Sequence, residues 1–115
     1  MNSALEALPR EIIKRDGHRA AFDSTKIRSA ILRAGQASGE FGESEADLLT
    51  AQVVKVLLHS FRNAPPDIER IQDVVEQSLI ASNHFQTARG YIAYRESHKK
   101  LREDRKTLVD VESSI

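Results

Sequence analysis

Apolar positions along the chain follow two periods, one extended and one helical. Between Ile12 and Phe22 two short extended runs flank Asp16-Gly17. Asp-Gly between such runs signals a hairpin, because a two-residue type I′ turn needs φ > 0 at both centres. A strict turn of that kind puts Ile13, Arg15, His18 and Ala20 on one face, and Ile12, Lys14, Arg19 and Ala21 on the other. Asp23 or Ser24 can cap a helix from about Ser24 to Ala37. Its stripe is Ile27, Ala30, Ile31 and Ala34, and Gly35 and Gly39 mark its end. A second helix starts near Ser44, a plausible cap, with Leu49, Val53, Val56 and Leu57 inward and Phe61 one turn on. Asn63-Ala64-Pro65-Pro66-Asp67 breaks it. Asp67 caps a third helix with Ile71, Val74, Val75, Ser78 and Leu79 inward, stopped at Ser82-Asn83. A fourth runs from about Phe85 to Arg105, with Ala88, Tyr91, Ile92 and Arg95 at helical spacing. Its second half is nearly all charged and should face water. The fold class is α+β, mostly α: four helices with a small hairpin cap.

Charge changes this picture locally. The 115 residues carry 17 Lys+Arg against 17 Asp+Glu, so no global field draws the chain to nucleic acid or an anionic membrane. Any basic site must be local, and the hairpin offers Lys14, Arg15 and Arg19. Lys26 lies in the first turn of a helix, where a cation opposes the dipole. That placement makes sense beside an anion, since a helix N-terminus with Lys/Arg is a ready phosphate site. The plainer reading is a hairpin kept from edge-to-edge pairing by its charges.

Cysteine is absent, which excludes disulfides and thiolate metal sites. No apolar run approaches the roughly 20 residues that span a bilayer, and no secretory signal precedes the hairpin. A cytoplasmic setting is the default. The four histidines (His18, His59, His84, His98) sit on separate elements. There is no His-Glu-x-x-His pattern, no Gly-x-x-x-x-Gly-Lys loop and no evident nucleophile-plus-base pair. A domain that binds a ligand without acting on it fits these absences.

Ile13-Lys14-Arg15-Asp16-Gly17, then Phe22-Asp23 and Lys26-Ile27, resembles the opening of an ATP-cone, the allosteric nucleotide-binding domain of ribonucleotide reductases and of their zinc-containing repressor. Ile71-Gln72-Asp73-Val74-Val75-Glu76 and Ala88-Arg89-Gly90-Tyr91-Ile92-Ala93-Tyr94-Arg95 resemble its second half. The resemblance covers residues 11–102, with 1–10 as a lead-in. Residues 103–115 are similar to the segment that leads to the catalytic domain in anaerobic (class III) ribonucleoside-triphosphate reductases, which implies a piece of a larger enzyme. It further implies a short third strand near the Pro65-Pro66 break.

The resemblance also assigns residues. Lys14, Arg15 and Lys26 would contact phosphates, and Asp16 and Gly17 of the hairpin turn are expected to be nucleotide-binding as well. Asp23, by default a helix cap, would lie near the nucleoside. Phe22 and Ile27, by default core residues, would wall the base. Gln72, otherwise a solvated helix residue, could give a base both a donor and an acceptor. Arg95, His98, Lys99 and Arg102, within two turns of the fourth helix, form either a solvated mixed-charge face or, for one or two of them, contacts to phosphates or to a second nucleotide. The expected effectors are ATP, activating, and dATP, inhibiting, with Mg2+. The expected partners are a catalytic domain of the same polypeptide and a possible homo-oligomer. The alternatives are a nucleic-acid-binding module, suggested by the basic hairpin, and a protein-docking domain using the charged fourth helix.

Overall fold

The computed structural model describes residues 10–114, with side chains through residue 106. The lead-in read over 1–10 therefore lies, except for Arg10, outside the described residues. Two strands, β1 (Glu11–Ile13) and β2 (Arg19–Ala21), precede four helices: α1 (Ser24–Ser38), α2 (Glu43–Ser60), α3 (Ile68–Ala81) and α4 (Phe85–Ser114).

The hairpin corrects the expected register. β1 and β2 pair antiparallel with Ile12 opposite Ala20 and Ile13 opposite Arg19, one residue off the strict two-residue arrangement. The turn explains the slip. Lys14 N donates to His18 O at 2.8 Å and Gly17 N to Lys14 O at 2.9 Å. Three residues, Arg15 to Gly17, therefore form the loop, and of these only Gly17 (φ 93°) is left-handed. A turn closed by one left-handed glycine is the usual three-residue hairpin. Asp16 instead uses its carboxylate, which accepts from His18 N at 3.2 Å. The implied third strand is reduced to one parallel bridge between Ile13 and Asp67, with Ile13 N donating to Pro66 O at 2.9 Å. That bond fixes the hairpin to the entrance of α3.

The four helices share one aliphatic core. Ile27 and Ile31 of α1, Leu49, Val53 and Leu57 of α2, Val74, Val75 and Leu79 of α3, and Ala88 and Tyr91 of α4 are buried. Phe22, Phe41, Phe61 and Ile71 pack on its edge. The expected stripes hold except at Val56 and Ile92, which are exposed. Each is one residue from a buried position, so the true stripes are narrower than the spacing suggests. Burial of Tyr91 pushes its phenol up to about 12.

Capping matches the expectation at two of three helix starts. Asp23 caps α1 by accepting from Thr25 N, and Asp67 caps α3 by accepting from Arg70 N. The α2 start differs: Gly42 holds the cap position and Ser44 lies inside the helix. Gly35 also departs from its expected role. α1 runs through it and ends at Gly39, which is left-handed, while Gly35 is buried beneath the Phe41 ring. α4 continues past Arg105 to Ser114. Its start is capped from a distance, because Glu40 in the α1–α2 loop accepts from Thr87 N at 2.6 Å.

Candidate functional site

Docking the hairpin onto α3 leaves a cleft at that end of the bundle. It encloses about 490 Å³ and is lined by the hairpin tip, the first turn of α3 and the exposed end of α4. A cleft of that size suits a small organic ligand. Five cations face it: Lys14 and Arg15 from the hairpin, and Lys99, Arg102 and Lys106 from α4. Asp67, Glu69 and Glu103 are the acids of the lining. In a chain of zero net charge this is a local concentration of cations, the form any basic site here would have to take. Gly17 also lines it; its positive φ, not crowding, calls for glycine there, since a Cβ would meet only open space.

One wall of the cleft is braced by Arg95. Its side chain is only 14% exposed. It donates to Asp73 at 3.1 Å, Gln72 at 3.1 Å and Glu69 at 2.9 Å, and it also bonds Glu76. Burial works against the arginine's charge, yet the carboxylates of Glu76, Glu69 and Asp73 raise its pKa above the ordinary value. Arg95 is thus the bolt between α3 and α4 and spends its donors on protein groups. Arg15 reaches the same cluster from the hairpin, bonding Glu69 and donating to Gln72 Oε1 at 3.5 Å.

The structure therefore brings Lys14, Arg15, Gly17 and Lys99 together in the cleft, with Gln72 just behind Arg15. Asp16 is at the hairpin tip and pairs with His18 at 2.8 Å. His98 packs on Tyr94, ring centroids 4.1 Å apart. Phe22, Asp23, Lys26 and Ile27 form a second group where β2 runs into α1, outside the cleft lining. There Ile27 belongs to the core, Phe22 packs on its edge, and Lys26 is exposed. The carboxyl of Asp23 is held below its usual range by the Thr25 hydroxyl and amide. Sequence reasoning missed Lys106 and Glu69. Lys99, Arg102 and Lys106 stand at i, i+3 and i+7, so their shared face was available from spacing alone. Nothing local singles out Glu69, whose part depends on Arg15, 54 residues away in sequence.

The pattern of the ATP cone domain matches residues 10–100. The chain belongs to the ATP-cone family. Relatives of the ATP cone in hand include the ribonucleoside-diphosphate reductase subunit alpha of Chlamydia muridarum, 34% identical over 103 residues, which is 82% of this chain and 10% of that protein. The anaerobic ribonucleoside-triphosphate reductase of Escherichia coli is 38% identical over 94 residues, 82% of this chain and 13% of that protein. The vitamin B12-dependent ribonucleoside-diphosphate reductase of Thermoplasma acidophilum is 34% identical over 104 residues, 86% of this chain and 13% of that protein. This cone thus spans about a tenth of the length of the curated relatives it matches. ATP cones serve allosteric nucleotide-binding regulation in ribonucleotide reductases. No described helix is long and apolar enough to cross a membrane.

Proposed function

We propose that this ATP cone binds ATP and dATP and sets the overall activity of a ribonucleotide reductase carried on the same polypeptide, with ATP activating and dATP inhibiting. The observation that carries the reading is the convergence of Lys14, Arg15, Lys99, Arg102 and Lys106 on one cleft beside the first turn of α3. A triphosphate needs several charged donors, and this donor set supplies them from two separate elements. Mg2+ would enter on the triphosphate's own oxygens, the hard ligands it prefers. Asp16 and Gly17 shape the tip over the phosphates. Phe22, Asp23 and Ile27 would take the nucleoside end, with Gln72 and His98 at the margin; Lys26, which is outside the cleft lining, would join them rather than the phosphate donors expected from the sequence. This cytoplasmic sensor itself performs no chemistry; the reaction belongs to the catalytic domain, in the anaerobic class or a related one.

The two effectors differ by one hydroxyl. A protein group left unpaired by its loss costs about 1–3 kcal/mol, enough to separate them. The difference shifts activity only when it falls unequally on two conformations. α4 is the route for that signal, because it lines the cleft and runs on to Ser114, on the side where the proposed catalytic domain would follow.

Calorimetric titration of the 115-residue chain with ATP, dATP and GTP in magnesium buffer tests the binding. Micromolar affinity for both adenine nucleotides and not GTP is the expected result. In the full-length enzyme, ATP and dATP should then move activity or oligomer size in opposite directions; indistinguishable effects would sink the regulatory half. A salt-dependent shift with random duplex DNA and no nucleotide binding would revive the nucleic-acid reading.

A further inference from the structure

Glu69 stands where the cleft's charges cross. Its Oε1 accepts from Arg15 of the hairpin, and its Oε2 accepts from Arg95 of α4 at 2.9 Å. The two arginines depend on it unequally. Arg95 has Asp73 at 3.1 Å, Gln72 at 3.1 Å and Glu76 besides. Among the described residues Arg15 has in addition only the neutral Gln72 oxygen at 3.5 Å, the outer limit of a hydrogen bond. Yet Arg15 carries the planar fork suited to bidentate phosphate binding, and it lies in the cleft lining.

We propose that Glu69 is an affinity-setting residue, a tethered anion that competes with nucleotide phosphate for Arg15. This rests on the phosphate reading of the cleft. A phosphate that takes Arg15 must first displace the Glu69 carboxylate. That carboxylate stays charged, since hydrogen bonds from Arg95 and then Arg15 hold it below its usual pKa. On displacement it still has Arg95, so no carboxylate is stranded. The exchange moves the hairpin's ionic tether from α3 onto the ligand. Affinity is thereby held below what the five cations would give alone, which keeps the site responsive to changes in nucleotide concentration. It also makes release of the Arg15–Glu69 contact part of binding, while the bond from Ile13 N to Pro66 O keeps the hairpin at the entrance of α3.

A double-mutant cycle tests this, with ATP and inorganic triphosphate as probes. Glu69→Gln should bind both about three- to fivefold more tightly, the range of an exposed ion pair that no longer has to be broken. In an Arg15→Ala background the same change should give no gain. Asp73→Asn removes a charge from the Arg95 cluster without touching Arg15, and should leave affinity unchanged. Circular dichroism checks that each variant keeps its helices. Unchanged or weaker binding by folded Glu69→Gln overturns the proposal, as does a gain that persists without Arg15, which would mean general charge repulsion. If wild type and variants alike bind neither probe, the phosphate reading of the cleft falls and the competition with it.

Discussion

The two halves of α4 show two ways in which sequence specifies a helix. Between Thr87 and Tyr91 the helix buries Thr87, Ala88 and Tyr91 against the bundle. From Glu96 to Lys106 every side chain is exposed, yet Lys99, Arg102 and Lys106 share the cleft with residues from the hairpin and α3. The first half is specified by what it excludes from water, so its identity repeats at helical spacing. The second half is specified by what it faces, and that is supplied by residues far away in the chain. Changes in the first half should therefore read out in stability, and changes in the second in binding.

The largest effect should come from the bundle. Leu79 is fully buried, so Leu79→Ala should cost about 2–5 kcal/mol in urea unfolding, with nucleotide binding falling only as the folded fraction falls. Gly35→Ala comes next. A Cβ there runs into the Phe41 ring, which itself stacks on His84 with centroids 4.6 Å apart. Pushing that ring aside should cost about 1–3 kcal/mol by the same measurement. If Gly35→Ala proved neutral, Phe41 would be free to move and the α1–α2 loop would not be fixed by packing.

The cleft should answer differently. Lys14→Ala and Arg102→Ala should each weaken ATP binding by about tenfold, the scale of one lost charge-assisted hydrogen bond, with helical circular dichroism unchanged. Loss of helicity in either would place these cations in the structure rather than the site. The smallest effect is at Glu40. The Thr87 hydroxyl and amide hold its carboxyl below its usual value. A depressed folded pKa means the folded state binds fewer protons. Its stabilisation is therefore present above the unfolded carboxylate value and lost as pH falls through the folded one. Glu40→Gln should lower the urea midpoint slightly near neutrality, and the gap to wild type should narrow as pH falls below the ordinary carboxylate range.

How much of this was legible follows from the same contrast. The four helices and most of the core could be read because burial repeats with the helix. Val56 and Ile92 failed because apolar residues beside a stripe look like part of it. The hairpin was legible but its register was not: Asp-Gly suits both a two- and a three-residue loop, and the backbone decides which by making only Gly17 left-handed. Lys14 and Arg15 were singled out by the hairpin's charges and the family resemblance, and Lys99 by the charge cluster of the last helix; the cleft brings the three together. Lys106 was open to a spacing argument. Glu69 was not, because an acid matters here only through two arginines on other elements.

The most direct test of the central claim is to map backbone amide shifts on titrating the chain with inorganic triphosphate and then with ATP. Both ligands should move the amides of residues 14–17, 67–69 and 99–106, and ATP should in addition move those of 22–27. Shifts that leave 14–17 and 99–106 unchanged while ATP binds elsewhere would contradict the cleft as the phosphate site.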